Sequence, residues 1–407
     1  MTVPTFLQIH TLTSYPASLL NRDDMGFAKR IPFGSVPRLR ISSQCLKRHW
    51  RMAVDDPHAL LKIHGAEDAF RSREIVTLKV IEPLAKSGSF KPATLGVLNE
   101  LFQKQVYGDK GTEKKSRQTL ILGAPEVNWL ANQALELAPR IERALGDSPA
   151  VAEAEAPGDK GKKGKKTSKS LPTAVEEITK PWSDKFSDTF KQLRKDAAIN
   201  VGLTSALFGR MVTSDPAANI DAPIHVAHAF TVHEEETESD YFVAVDDLKR
   251  DEDDSGADTI QETELTSGLF YGYVVVDVPL LISNLGGDAS LAGKVVEHLT
   301  HLIATVSPGA KKGSTAPYAY ADLMLIEAGN GQPRTLANAY RKPCGARVDE
   351  AVASMSAYLT RIDASYGNPP QRAHLSIDEV TLPGSSIKPL DNLAIWARDL
   401  VANQSAA

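Results

Sequence analysis

Apolar and polar positions alternate from the start of the chain: Phe6, Leu7, Gln8, Ile9 and His10 read as a strand. A long segment broken by Pro16, Gly26, Pro32, Gly34 and Pro37 follows. The period then changes. Ile41, Cys45, Leu46, His49, Trp50, Ala53 and Val54 recur at helical spacing, with Ser42 or Ser43 as N-cap and Asp55-Asp56-Pro57 as the stop. From about 58 to 199 the pattern is helical, predicting helices over 92–106, 127–144 and 184–200 and almost no strand. A tract of Ala and Glu, then Gly and Lys, interrupts it at 152–170 and predicts a mobile surface loop.

Extended character returns at Gly209. Residues 210–213, a Ser214-Asp215-Pro216 turn signal and 224–233 together predict a projecting β arm. Further strands are expected over 241–245, 268–278 and 321–327, with a helix over 290–305 and a last one over 390–401. Strand, helix, strands, helix, strand is the order of an α+β, ferredoxin-like (RRM-like) sheet, split here by a helical insertion and a β arm. The chain then divides at 1–57, 58–200, 201–240 and 241–407. The basic-Gly-aromatic signature of the common single-strand-binding version of that sheet is missing, so loops and arm would have to hold any RNA.

Composition narrows the class. A length of 407 residues favours two or three packed units, and 42% apolar with 24% charged residues is ordinary for a globular protein. With no apolar run of membrane-spanning length and no secretory pattern after Met1, a cytoplasmic location is expected. Cys45 and Cys344 lie in no metal-binding or disulfide pattern. The net charge of −5 hides segregation: from Arg22 to Arg51, eight Lys or Arg face only Asp23 and Asp24, while 234–258 is strongly acidic.

Gln44, Lys47, Arg48 and Arg51 fall at i, i+3, i+4 and i+7, a basic stripe opposite the apolar one. A solvated face explains any single stripe. Adding Arg22, Lys29, Arg38 and Arg40 from the preceding loop, and the open N–H groups of a helix start at Ser42 and Ser43, tips the reading to phosphate binding. Lys311 and Lys312, in a Gly309–Thr315 loop that is no Walker motif, fit a phosphate-binding loop and a plain turn equally well. Met211 fits either a buried position or a wedge between bases. Asp23 and Asp24 could hold magnesium for RNA cleavage, although pairing with Arg22 is the simpler role. The histidines at 225, 228 and 233, and at 298 and 301, make poor metal sites, and no cofactor is expected.

The segments 20–25 (Leu-Asn-Arg-Asp-Asp-Met) and 40–48 (Arg-Ile-Ser-Ser-Gln-Cys-Leu-Lys-Arg) resemble the CasC-type (Cse-type) backbone subunit of Cascade, the type I-E CRISPR complex. The likeness continues through 209–214, 225–230, 244–248, 267–271 and 308–311. It implies a right-hand shape with a ferredoxin-like palm, helical fingers and a β-hairpin thumb, and several copies stacked on crRNA. Arg22, Lys29, Ser42, Gln44, Lys47 and Arg51 would grip guide phosphates, and Met211 would displace a periodic nucleotide. Implied partners are crRNA, target DNA paired to it, neighbouring copies, and CasA, CasB, CasD and CasE types of subunit. The role is non-catalytic. Related type III backbone subunits cut target RNA with a loop aspartate, which keeps an endonuclease alternative open at Asp23 and Asp24. Cys45 stands where such subunits usually have a small polar residue or alanine, and the 160–169 lysines look like a local elaboration, serving either DNA affinity or solubility.

Overall fold

The computed structural model describes residues 3–65, 69–108, 117–146, 173–195, 202–211, 219–244 and 259–403. The lysine tract at 160–169 lies outside them. The chain folds as two compact units, one formed by Met1–Gly65 with Pro223–Ala407 and the other by Ala66–Ala222.

The first unit opens with β1 (Phe6–Ser18), β2 (Arg30–Phe33), β3 (Val36–Ile41) and α1 (Ser43–Met52). Gly34 and Ser35 join β2 to β3 with φ of 67° and 72°, the paired left-handed conformation of a tight two-residue hairpin. The inserted unit follows, with β4 (Ala69–Ser72), a π turn at Val76–Ile81 running into α2 (Glu82–Lys86), α3 (Pro92–Tyr107), β5 (Leu120–Gly123), α4 (Ala124–Leu145), α5 (Thr173–Lys195) and α6 (Leu203–Phe208). Its core gathers Val80, Leu98, Phe102, Leu130, Leu137, Ile141 and Phe186. The three predicted helices are present, and a two-stranded β4–β5 sheet that no periodicity announced joins them. Glu126 caps α4 and forms a buried ion pair with Arg210 at 2.8 Å.

The chain then returns to the first unit through β6 (Ile224–Val226), β7 (Ala229–Thr231), β8 (Glu236–Ala244), β9 (Thr259–Asp277), α7 (Val278–Asn284), α8 (Ala289–Thr305), α9 (Lys312–Thr315), β10 (Leu323–Gly329), α10 (Val348–Tyr366), β11 (Gln371–Ser376), β12 (Ser385–Ile387) and α11 (Leu390–Ala402). Among the described residues, ten strands form one sheet in the order β12-β11-β10-β1-β9-β7-β3-β2, with β6 and β8 also on β9. Central β1 lies antiparallel to β10 and β9, Ile9 facing Ile326 and Val274. It is buried almost throughout because both sheet faces are covered. Leu12, Leu323 and Leu325 meet Val352, Met355 and Leu359 of α10 on one face. Tyr15, Leu39, Ile41 and Phe270 meet Cys45 and Leu46 of α1 on the other.

The described residues of the arm expected over 201–240 do not pair as one hairpin. They contain α6, a lone bridge between Arg210 and Ile220, and β6 and β7, which are short strands of the main sheet. Residues 212–218 lie outside the description. The exposed hairpin is β8 with the first part of β9, in register from Glu236↔Ser267 to Ala244↔Thr259. No helix among the described residues is long and apolar enough to cross a membrane.

Candidate nucleic-acid interface

The loop after β1 is organised by its own side chains. Asp23 Oδ1 accepts from the N–H groups of Met25 (3.0 Å) and Phe27 (2.9 Å), and an Arg22↔Ala28 bridge closes the base. The Asp23 carboxylate therefore caps a turn, and does not pair with Arg22 as expected. Arg22, Met25 and Phe27 are left exposed at the rim. Asn21 ties this loop to the helix: its carbonyl accepts from Lys29 N–H at 3.0 Å, and its Oδ1 from Ser42 N–H at 2.9 Å.

Ser42 is the N-cap of α1, its Oγ accepting from Cys45 N–H at 3.3 Å. His228 Nδ1 accepts from Ser43 N–H at 3.1 Å and faces the Arg40 guanidinium at 3.4 Å. Both partners are donors, so this nitrogen carries no proton. Burial, then the charges of Arg40, Lys29 and Lys47, hold the His228 pKa below its ordinary value, in keeping with a neutral acceptor. Two of the first N–H groups of α1 are thus already satisfied, and Ser42 and Ser43 are buried. The helix start is a rigid mount for cations, not the open phosphate cradle that the Ser-Ser pair suggested.

What α1 presents is positive charge. Leu46 and Trp50 face the core; Gln44 and Arg48 are exposed, and Lys47 and Arg51 are half-buried. No acidic residue occupies its first turn. Burial lowers the pKa of Lys47. Burial also lowers that of His49, assisted by the charges of Lys312 and Arg48. Burial raises the Cys45 thiol, with Arg48 and Lys29 pulling the other way. These shared influences link Lys312, Arg48, Lys29, Lys47 and Arg40 into one belt around α1.

Arg38 is a correction. It is fully buried, and its guanidinium donates to the carbonyls of Phe33 (3.2 Å), Thr231 (3.0 Å) and Tyr340 (3.0 Å). It holds strands to a distant loop and is sealed from solvent. Arg30, counted in the same positive segment, pairs with Glu235 and Glu264. Lys311 Nζ donates to Thr263 Oγ1 at 2.7 Å, beside a cavity of about 300 Å³ that Arg22, Phe27 and Glu264 also line. Met211 is 81% exposed and belongs to the inserted unit.

A family model described as CT1975-like protein matches residues 7–394. The chain belongs to that family. Among solved structures, this CT1975-like chain is similar to a chain of "CRISPR RNA-guided surveillance complex, pre-nicking" at 25% identity and a TM-score of 0.74, covering 97% of this chain and 100% of that one. A chain of a "CRISPR RNA-guided surveillance complex" at 22% identity, with a TM-score of 0.64 over 96% and 99% of the two chains, shares the fold. No curated protein matches. Within this CT1975-like chain, sequence reasoning missed Asn21 and His228. Their role rests on contacts 21 and 185 residues away, and only the cluster of polar residues at the cap hinted at the first.

Proposed function

We propose that this chain is a crRNA-binding backbone subunit of a type I-E Cascade-like surveillance complex, several copies stacking along the guide and presenting it for base pairing with target DNA. The observation that carries the reading is the belt of Lys29, Arg40, Lys47, Arg48 and Lys312 around α1, whose start is held by Asn21 and His228, with Arg51 on the same helix and Arg22 exposed on the adjoining loop. Similarity over nearly the whole chain to a chain of an RNA-guided surveillance complex supports it. In chain order, β1, α1, β7, β9, α8 and β10, with the four strands arranged β10-β1-β9-β7, suit a ferredoxin-like palm. The inserted unit would be the fingers, and the β8–β9 hairpin the thumb. Such a belt holds phosphates without reading bases, so specificity belongs to the guide's pairing. A non-catalytic role is part of this reading; at Asp23 it is supported by the engagement of Oδ1 in capping its own turn. Location in the cytoplasm and partnership with CasA, CasB, CasD and CasE types of subunit follow from the same reading.

Counterion release sets the test. Each phosphate contact on a single strand contributes about 0.7 to the slope of log affinity against log salt. Lys47→Ala with Arg51→Ala should lower that slope by about 1.4 and weaken RNA retention in the purified particle. An unchanged slope and normal RNA content would refute the assignment.

A further inference from the structure

The loop after α9 carries two tyrosines for which phosphate binding has no use. Tyr318 and Tyr320 are 73% and 69% exposed. The residue between them is fixed: Ala319 N–H donates to Ser307 Oγ at 2.9 Å, and the Ala319 carbonyl accepts from the same hydroxyl at 2.9 Å. Ala319 packs on the cluster that contains Leu19, Leu20 and Phe270, and Ala321 N–H is bonded to the Ala304 carbonyl at 2.8 Å. An anchored backbone thus holds both rings in water, where aromatic surface is costly to leave uncovered. Positive charge adjoins them. The Lys312 ammonium lies 5.8 Å from the centre of the Tyr318 ring, and Lys312 and Arg48 both act on His49 in the last turn of α1.

We infer that Tyr318 and Tyr320 form a stacking platform for bases of the single strand whose phosphates are held by Lys312 and the belt around α1. The inference rests on the RNA-binding reading above and adds a base contact to it. Every base offers a π-face, so a tyrosine stacks on any of them, which suits a protein that must accept guides of every sequence. A lysine beside the ring supplies the matching phosphate contact. A protein surface is the other possible cover for exposed tyrosines, but the cations alongside favour a polyanion.

The test uses the full chain with a mixed-sequence single-stranded RNA and with an abasic RNA of equal length. Tyr318→Ala with Tyr320→Ala should weaken binding of the base-bearing RNA by at least about fivefold, the lower bound for losing one stacked base. The salt slope and the affinity for abasic RNA should not change. Tyr318→Phe with Tyr320→Phe keeps both rings and should bind as the natural chain does. Loss of affinity in the phenylalanine pair would overturn stacking. So would an alanine pair that binds both RNAs normally, or that loses only self-association on size exclusion, which would assign the rings to contacts between copies. In each of those cases phosphate binding stands. Failure of the natural chain to bind either RNA would remove the RNA-binding reading and the platform together.

Discussion

Two cations nine residues apart show how little a residue's type says about its work. Lys47 and Arg38 belong to the same positive segment, yet Lys47 keeps contact with solvent while Arg38 is sealed beneath the loop carrying Tyr340. Burying a guanidinium is tolerated only when its donors are satisfied, and three backbone carbonyls do this. Arg38→Met would leave those carbonyls without their donor. At about 1–3 kcal/mol for each of the two buried carbonyls left unpaired, the loss should reach at least about 2 kcal/mol, measured as a lower urea midpoint at constant m-value. Lys47→Ala should move the same midpoint by no more than about 0.5 kcal/mol. Equal effects of the two substitutions would contradict this division. Nothing local separates them in the sequence: Arg38 and Arg40 alternate alike along β3, and the decisive carbonyl of Tyr340 lies 302 residues away.

At the level of elements, α1 was legible because its signals are local. The cap, the apolar face and the basic stripe all lie within 42–52, and the helix begins and ends within a residue or two of where they put it. β6 and β7 were not legible as separate strands. Each has three residues, and each is defined by pairing with β9 about 40 to 50 positions later. The exposed hairpin lies just beyond the segment expected to form the arm: of the expected strands, 241–245 overlaps β8, while 268–278 is the part of β9 that pairs with β1. The β2–β3 hairpin shows local information at its most binding. Gly34 has a left-handed φ of 67°, and a Cβ there would lie 1.6 Å from the Arg341 carbonyl oxygen. Gly34→Ala must therefore move backbone as well as adopt a disfavoured conformation. It should destabilise the protein by at least about 2 kcal/mol, seen as a lower melting temperature. Ala at Gly26 also takes on a positive φ, but meets no atom within 4 Å, and should cost less.

At the level of the whole molecule, a length of 407 residues pointed to two or three units, and two are present, their boundaries at 65/66 and 222/223. Nothing in the sequence marked the charged network inside the first of them. There Glu327 accepts from Arg334 (2.6 Å) and Arg372 (2.7 Å) and contacts His10 Nε2 at 3.1 Å, while Arg372 also binds Asp363. Its members are far apart in sequence and look like scattered surface residues. Burial works to raise the Glu327 carboxyl, but hydrogen bonds from Arg334 and His10 outweigh it and hold the group ionised, well below the usual carboxylate range. His10 is wholly buried, and desolvation lowers its pKa from 6.5 despite the Glu327 contact. The sign of the pH dependence follows. The unfolded chain takes up a proton at His10 near pH 6.5 and the folded chain does so only lower, so stability is intact above about 6.5 and declines as pH falls below it. His301 and His374 shift in the same direction through burial and add to the decline. Glu327 contributes only at much lower pH, once unfolded carboxyls begin to protonate near 4.3. Unfolding midpoints should thus be flat between pH 7 and 8 and fall between 6.5 and 5, with His10 alone supplying roughly 1 kcal/mol per pH unit. His10→Gln retains a donor for Glu327 but cannot titrate. It should be less stable at pH 7.5 and show a shallower fall on acidification, whereas a slope equal to that of the natural chain would exclude His10 as a source of the acid sensitivity.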